Sequence, residues 1–227
     1  MALSLTGSSE DAYHTYFKQT VKDYEHCYLQ KSVDSIGGDY THGFRLIPFR
    51  NKHVLFLTDG PVKEIKEWFE LGEKVDETST QILFPRKILG FFIDGMIGFS
   101  FARIYDSEKR WKEIGNDSIS KFKLWSENSE WNFINKLHLL LAERYFLEDD
   151  QENAVIHYEK AIKSAGDHHF LHEEGLANVA AAKCCLHYGE RDNALKYYTQ
   201  AKTCYTKWGA FALVNCIDKK CTDLEGE

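Results

Sequence analysis

The C-terminal half of the chain repeats its pattern of small and aromatic positions at an interval of 40 residues. The first copy places alanine at 142, 154 and 161 and tyrosine at 158, and the second places the same residues at 182, 194, 201 and 198. Self-similarity at a fixed period indicates a repeat architecture. Each copy is long enough for two antiparallel helices, with alanines where the helices cross closely and tyrosines in the space beside them. We therefore predict an all-α fold built from helix pairs.

The polar segments inside the two copies predict the turns between helices. The run 148–153 reads EDDQEN, and the aligned run 188–193 reads YGERDN. Gly189 lies where a helix would end in a left-handed residue, a conformation that glycine adopts without steric cost. One aromatic position differs between the copies, because Cys185 stands where the first copy has Tyr145.

Helical spacing also occurs upstream of the repeats. Between Asp11 and Val33, aromatic residues and one cysteine recur every three or four positions, which predicts an amphipathic helix that ends before Gly37-Gly38. A second helix is expected from Pro61 to Val75, with its apolar residues on one face: Val62, Ile65, Trp68, Phe69 and Leu71.

Two further helices are expected before the repeats. One runs from Lys87 to Tyr105 and contains Gly95 and Gly98, which allow a neighbouring helix to approach closely. The other begins after Gly115, with capping residues at 116–118. The segment 44–57 is ambiguous, because FRLIPF alternates like a strand while Pro48 argues against a central strand.

These patterns divide the chain into four parts. We expect a disordered N-terminus (1–10), a divergent helical segment packed on the repeats (11–107), the repeats themselves (108–221) and a disordered tail (222–227). A different organisation stays open, in which the first 107 residues form a domain of their own with a ligand pocket, since that half is rich in aromatic residues and glycine.

Charge and cysteine usage narrow the classes of partner and compartment. The formal net charge is −7, whereas binding nucleic acid requires clustered lysine and arginine, so DNA and RNA are not expected partners. The six cysteines form no CxxC pair, which is typical of buried thiols in a reducing compartment and predicts a cytoplasmic location. The apolar stretch 88–105 contains Asp94 and Arg103, so we interpret it as a buried helix and not as a membrane span.

Few residues have the spacing of a chemical site. His168, His172 and Glu173 are weak candidates for metal binding, because two histidines at i and i+4 can face one ion, but a closed zinc site needs more ligands. We therefore predict no metal and no cofactor. Trp125 and Trp131 flank a polar turn and are interpreted as core anchors. The chain has no GxxxxGK[ST] phosphate loop and no HRD or DFG triplet.

The repeated positions resemble the tetratricopeptide repeat (TPR). Its signature positions are filled in the first copy by Leu141, Ala142, Tyr145, Ala154, Tyr158 and Ala161. The closing proline of the signature is missing, and the period is 40 instead of 34 residues, with the additional residues at 166–170. The resemblance implies antiparallel helix pairs stacked as a TPR-like right-handed superhelix.

A longer stretch, roughly 91–218, is similar to the TPR-like region of large hybrid signalling proteins. The strings FINKLHLLLAERYF, HYEKAIKSA, FLHEEGLANVAAAKCCLHYG and AKTCYTKWGA carry this likeness. Those proteins join a protein-kinase-like domain, an AAA-type ATPase, and sensor and histidine-kinase domains. The resemblance therefore implies a signalling context without catalysis by this region.

In a TPR array the first helices of the repeats line the inner face, where partners bind. That alignment predicts a partner-binding groove formed by eight residues: Lys136, Leu139, Glu143, Phe146, Leu176, Val179, Lys183 and Leu186. Chaperone-tail-binding TPR domains carry Lys and Asn where this chain has Leu139 and Glu143, so that ligand is disfavoured. These residues would either hold a protein or peptide partner or pack on the preceding helices.

The functional hypothesis from sequence is a non-catalytic TPR-like protein-protein interaction scaffold in a signal-transduction assembly. The partner would be a protein or peptide, or other domains of a signalling protein. The alternative is a helical metal- or small-molecule-binding sensor or small enzyme that uses His168, His172 and Glu173.

Overall fold

A computed structural model describes residues 39–76, 84–105 and 108–226. These residues form only helices and the turns between them, as predicted. In chain order the helices are α1 (Asp39–Leu57), α2 (Val62–Asp76), α3 (Phe84–Ile104), α4 (Lys109–Asn128), α5 (Glu130–Leu147), α6 (Gln151–Asp167), α7 (Leu171–His187), α8 (Arg191–Trp208) and α9 (Phe211–Gly226). The chain divides into two compact units, Met1–Ile82 and Leu83–Glu227. The predicted helix between Asp11 and Val33 lies outside the described residues.

In the first unit α1 packs against α2. The alternation over FRLIPF suggested a strand, but the segment is helical, with Pro48 inside α1. Proline normally disfavours a helix interior, but Pro48 is buried and lies close to Gly72 of α2, where an added Cβ would be in ordinary van der Waals contact with it at 3.7 Å. The predicted helix from Pro61 to Val75 is confirmed within one residue, and its Ile65, Trp68 and Phe69 are buried.

The second unit consists of three helix pairs and a final helix. The helices of each pair contact each other: α3 with α4, α5 with α6, and α7 with α8. Each pair also meets the next, through α4 with α5 and α6 with α7, while α9 packs on α8. The first helices form a second set of contacts, α3 with α5 and α5 with α7. This pairwise stacking confirms the expectation of a TPR-like fold.

Glycines let α3 and α4 approach closely. A Cβ at Gly95 would lie 2.6 Å from the Cβ of Ser118, and a Cβ at Gly98 would lie 2.7 Å from the carbonyl oxygen of Trp111. On the opposite helix, Gly115 accommodates the ring of Phe99. The sequence placed the start of α4 after Gly115, but the helix begins at Lys109, because this glycine is a packing residue inside the helix and not its start.

The 40-residue sequence repeat corresponds to a structural repeat. The helices α6 and α8 begin at Gln151 and Arg191, and α5 and α7 end at Leu147 and His187. The six alanines and two tyrosines that recur between the two copies all have relative exposures of 0 or 1%. They lie where the helices cross, so the sequence repeat encodes the contacts that hold each pair together.

The turns between helices share one hydrogen-bonding pattern. The N–H of Asp150 donates to the carbonyl of Tyr145 at 3.0 Å, and the N–H of Glu190 donates to the carbonyl of Cys185 at 2.8 Å. These six-residue bonds enclose a left-handed residue, which is Asp149 (φ 57°) in the first turn and Gly189 (φ 77°) in the second. The prediction for Gly189 is thus confirmed. His169 adopts the same conformation, with φ 59°.

The last helix extends beyond its predicted end. We expected the segment 222–227 to be disordered, whereas α9 continues to Gly226. The buried Leu213 and Ile217 anchor this helix. Among the helices of the described residues, none is both long and apolar enough to cross a membrane.

Candidate partner-binding face

The first four groove residues predicted from sequence form one stripe on α5: Lys136, Leu139, Glu143 and Phe146. We call this the α5 stripe. Its members have relative exposures of 9, 1, 4 and 8%. The stripe is therefore buried, which corresponds to the alternative in which these residues pack on neighbouring helices.

A network of charged and polar side chains covers the C-terminal half of the α5 stripe. Arg103 of α3 donates from Nη2 to Oε2 of Glu143 at 2.6 Å, and the hydroxyl of Tyr158 on α6 donates to Oε1 at 2.7 Å. The guanidinium also lies 4.3 Å from the ring centre of Phe146. Burial alone would lower the pKa of Arg103, but the adjacent Glu143 carboxylate outweighs this effect and raises it. Glu143 thus links three helices.

A second network bonds the N-terminal half of the α5 stripe to α7. Lys136 Nζ lies 2.8 Å from Oε2 of Glu173, and the side-chain amide of Asn135 donates to the same oxygen. His172 Nε2 lies 3.2 Å from Oε1 of Glu173. Burial opposes ionisation of Glu173, yet the bonds from His172 and Lys136 lower its pKa. This carboxylate is consequently part of the contact between the first helices.

The other four predicted groove residues form the α7 stripe: Leu176, Val179, Lys183 and Leu186. Leu176 is 8% exposed, but Val179, Lys183 and Leu186 are half-buried. These three occupy the positions equivalent to Leu139, Glu143 and Phe146 on α5. The inner face of the unit is therefore closed along α5 and more open along α7.

One exposed aromatic residue contacts α7, and another begins α9. Trp208 at the end of α8 is 40% exposed and its ring centre is 5.2 Å from that of His172 on α7. Phe211 at the start of α9 is 53% exposed. Exposed tryptophans are frequent anchors in protein interfaces.

The structure brings two of the three metal candidates together, since His172 contacts Glu173, while His168 bonds elsewhere. Glu173 is held by Lys136, and the Nδ1 of His168 lies 2.7 Å from the backbone oxygen of Ser164. No group of three or more histidine, cysteine or acidic residues with metal-binding geometry occurs within the part of the chain that the structure describes.

Three of the cysteines are buried as predicted. Cys184, Cys185 and Cys204 are free thiols with relative exposures of 0, 2 and 5%. Burial raises the pKa of Cys184 to about 12 and that of Cys185 to about 11. Both thiols therefore stay protonated at neutral pH, which makes them poor nucleophiles.

Sequence reasoning missed the partners of the buried charges. In the sequence Arg103 is only a charge that interrupts an apolar stretch, and no pattern marks Asn135 as buried. A signal was present for the first pair, because Arg103, Glu143 and Lys183 are separated by the same 40 residues as the echoed alanines and alternate in charge. Trp131, predicted to be a core anchor, is 56% exposed.

The comparisons with known proteins agree with this architecture. The family model described as CHK1-like, TPR repeats matches residues 90–223, which extend from α3 into α9. No curated protein and no solved structure gives a significant match. TPR repeats generally mediate protein interactions, so the match supports that role for this helical array. Because the matched region covers more than half of the sequence, the chain belongs to the family of CHK1-like TPR repeats.

Proposed function

We propose that this chain is a non-catalytic scaffold that binds a protein partner through the α7 stripe within a signal-transduction assembly. In this proposal the scaffold binds its partner through surface contacts and catalyses no reaction on it. Its family and the stacked helix pairs support a binding role.

The difference between two equivalent stripes carries this proposal. On α5 the charged residues are bonded to neighbouring helices and the apolar residues are covered. On α7 two apolar residues, Val179 and Leu186, keep part of their surface in water on either side of Lys183. Apolar side chains flanking a charge suit an amphipathic helix or an extended peptide, which buries the apolar groups and fixes its register by the charge.

The signalling context rests on the likeness to hybrid signalling proteins over roughly 91–218. In those proteins the TPR-like region lies between catalytic and sensory domains. A partner that is itself a signalling domain would fit a scaffold that links such domains.

Affinity capture with defined variants tests the proposed face. We would immobilise the full chain, identify captured proteins by mass spectrometry, and then measure binding of each purified candidate by calorimetry. Leu186→Asp and Lys183→Glu should each weaken the candidate's binding at least about tenfold, because each removes a contact in the partly exposed section of the stripe.

Ile156→Asp on α6 is the matched control, since Ile156 is also apolar and 41% exposed but does not belong to the α7 stripe. It should bind like the unmodified chain. Equal binding by the Leu186 and Lys183 variants, with their helical content unchanged, would show that the α7 stripe is not the binding face.

A further inference from the structure

We draw no further inference here: the strongest candidate, the open groove between α5 and α6 beside Trp131 and the His138–His157 pair, has two lysines set against two carboxylates along its lining, so nothing in the part of the chain that the structure describes shows which ligand it would take.

Discussion

The network around Glu143 gives a prediction whose size can be worked out from the structure. Glu143→Gln removes a negative charge that is held between Arg103 and Tyr158. The side chain of Glu143 is 5% exposed and that of Arg103 is 23% exposed, so the guanidinium would keep only partial hydration after losing its partner. Breaking a buried pair typically costs about 3–5 kcal/mol. Because Arg103 can reach some water, we expect about 3 kcal/mol.

Urea unfolding followed by circular dichroism measures this loss of stability. Tyr158→Phe provides a graded comparison, because it removes one hydrogen bond to the carboxylate and leaves the ion pair, and it should cost about 1.5 kcal/mol. The double variant Arg103→Met with Glu143→Met should recover most of the loss, since no charge is then left unpaired.

The reasoning depends on the order of these variants. If Glu143→Gln unfolds at the same urea concentration as the unmodified chain, or if the double Met variant is no more stable than Glu143→Gln, the network does not join the helices energetically. A change in the slope of the unfolding curve would instead indicate an altered unfolded or native state, and the comparison would then use only variants with equal slopes.

Two further predictions concern pH and a turn. The lowered pKa of His138 means that the folded state binds a proton less readily than the unfolded state, so stability should be complete above about pH 6.5 and fall as the pH drops toward 4. His138 is half-exposed, so solvent screening should limit the loss in the free energy of unfolding to about 1–2 kcal/mol. In His138→Gln the midpoint of unfolding should change less between pH 7 and pH 4.5. His169→Gly should stabilise the chain by about 0.5–1 kcal/mol, because glycine removes the steric cost of a left-handed residue at this exposed turn. Gly189→Ala should destabilise the chain by a similar amount for the same reason. Equal thermal midpoints in both variants would contradict this explanation.

The repeat region shows which features a sequence pattern can predict. The echoed alanines and tyrosines encode helix crossings directly, because a side chain that fits one crossing fits the equivalent crossing 40 residues later. The turn at Gly189 could also be predicted from the sequence, because its conformation is a local property of the chain. Asp149 and His169 hold the same conformation without glycine, and composition alone does not reveal them.

Other features depend on contacts between distant parts of the chain. The helix around Pro48 forms although proline disfavours it, and Pro48 is buried where α1 packs against α2. Glu143 and Glu173 resemble surface residues in the sequence, and only the packing of α3, α6 and α7 shows that their carboxylates are bonded inside. Trp131 shows the reverse: a large apolar residue that seemed suited to the core lies at the surface beside a groove.

The two buried carboxylates explain why the α5 stripe is closed. Glu143 takes a bond from α3 and a bond from α6, and Glu173 takes bonds from α5, so the positions of α3, α6 and α7 are all fixed relative to α5. Such bonded networks resist changes in helix spacing, because any separation leaves a buried charge without its partner. A partner that binds α7 would therefore meet a surface whose geometry is already set, and little of its binding free energy would be spent on ordering the scaffold. The buried charges thus hold the array rigid, and in the proposed function the partly exposed apolar residues on α7 provide the face for binding.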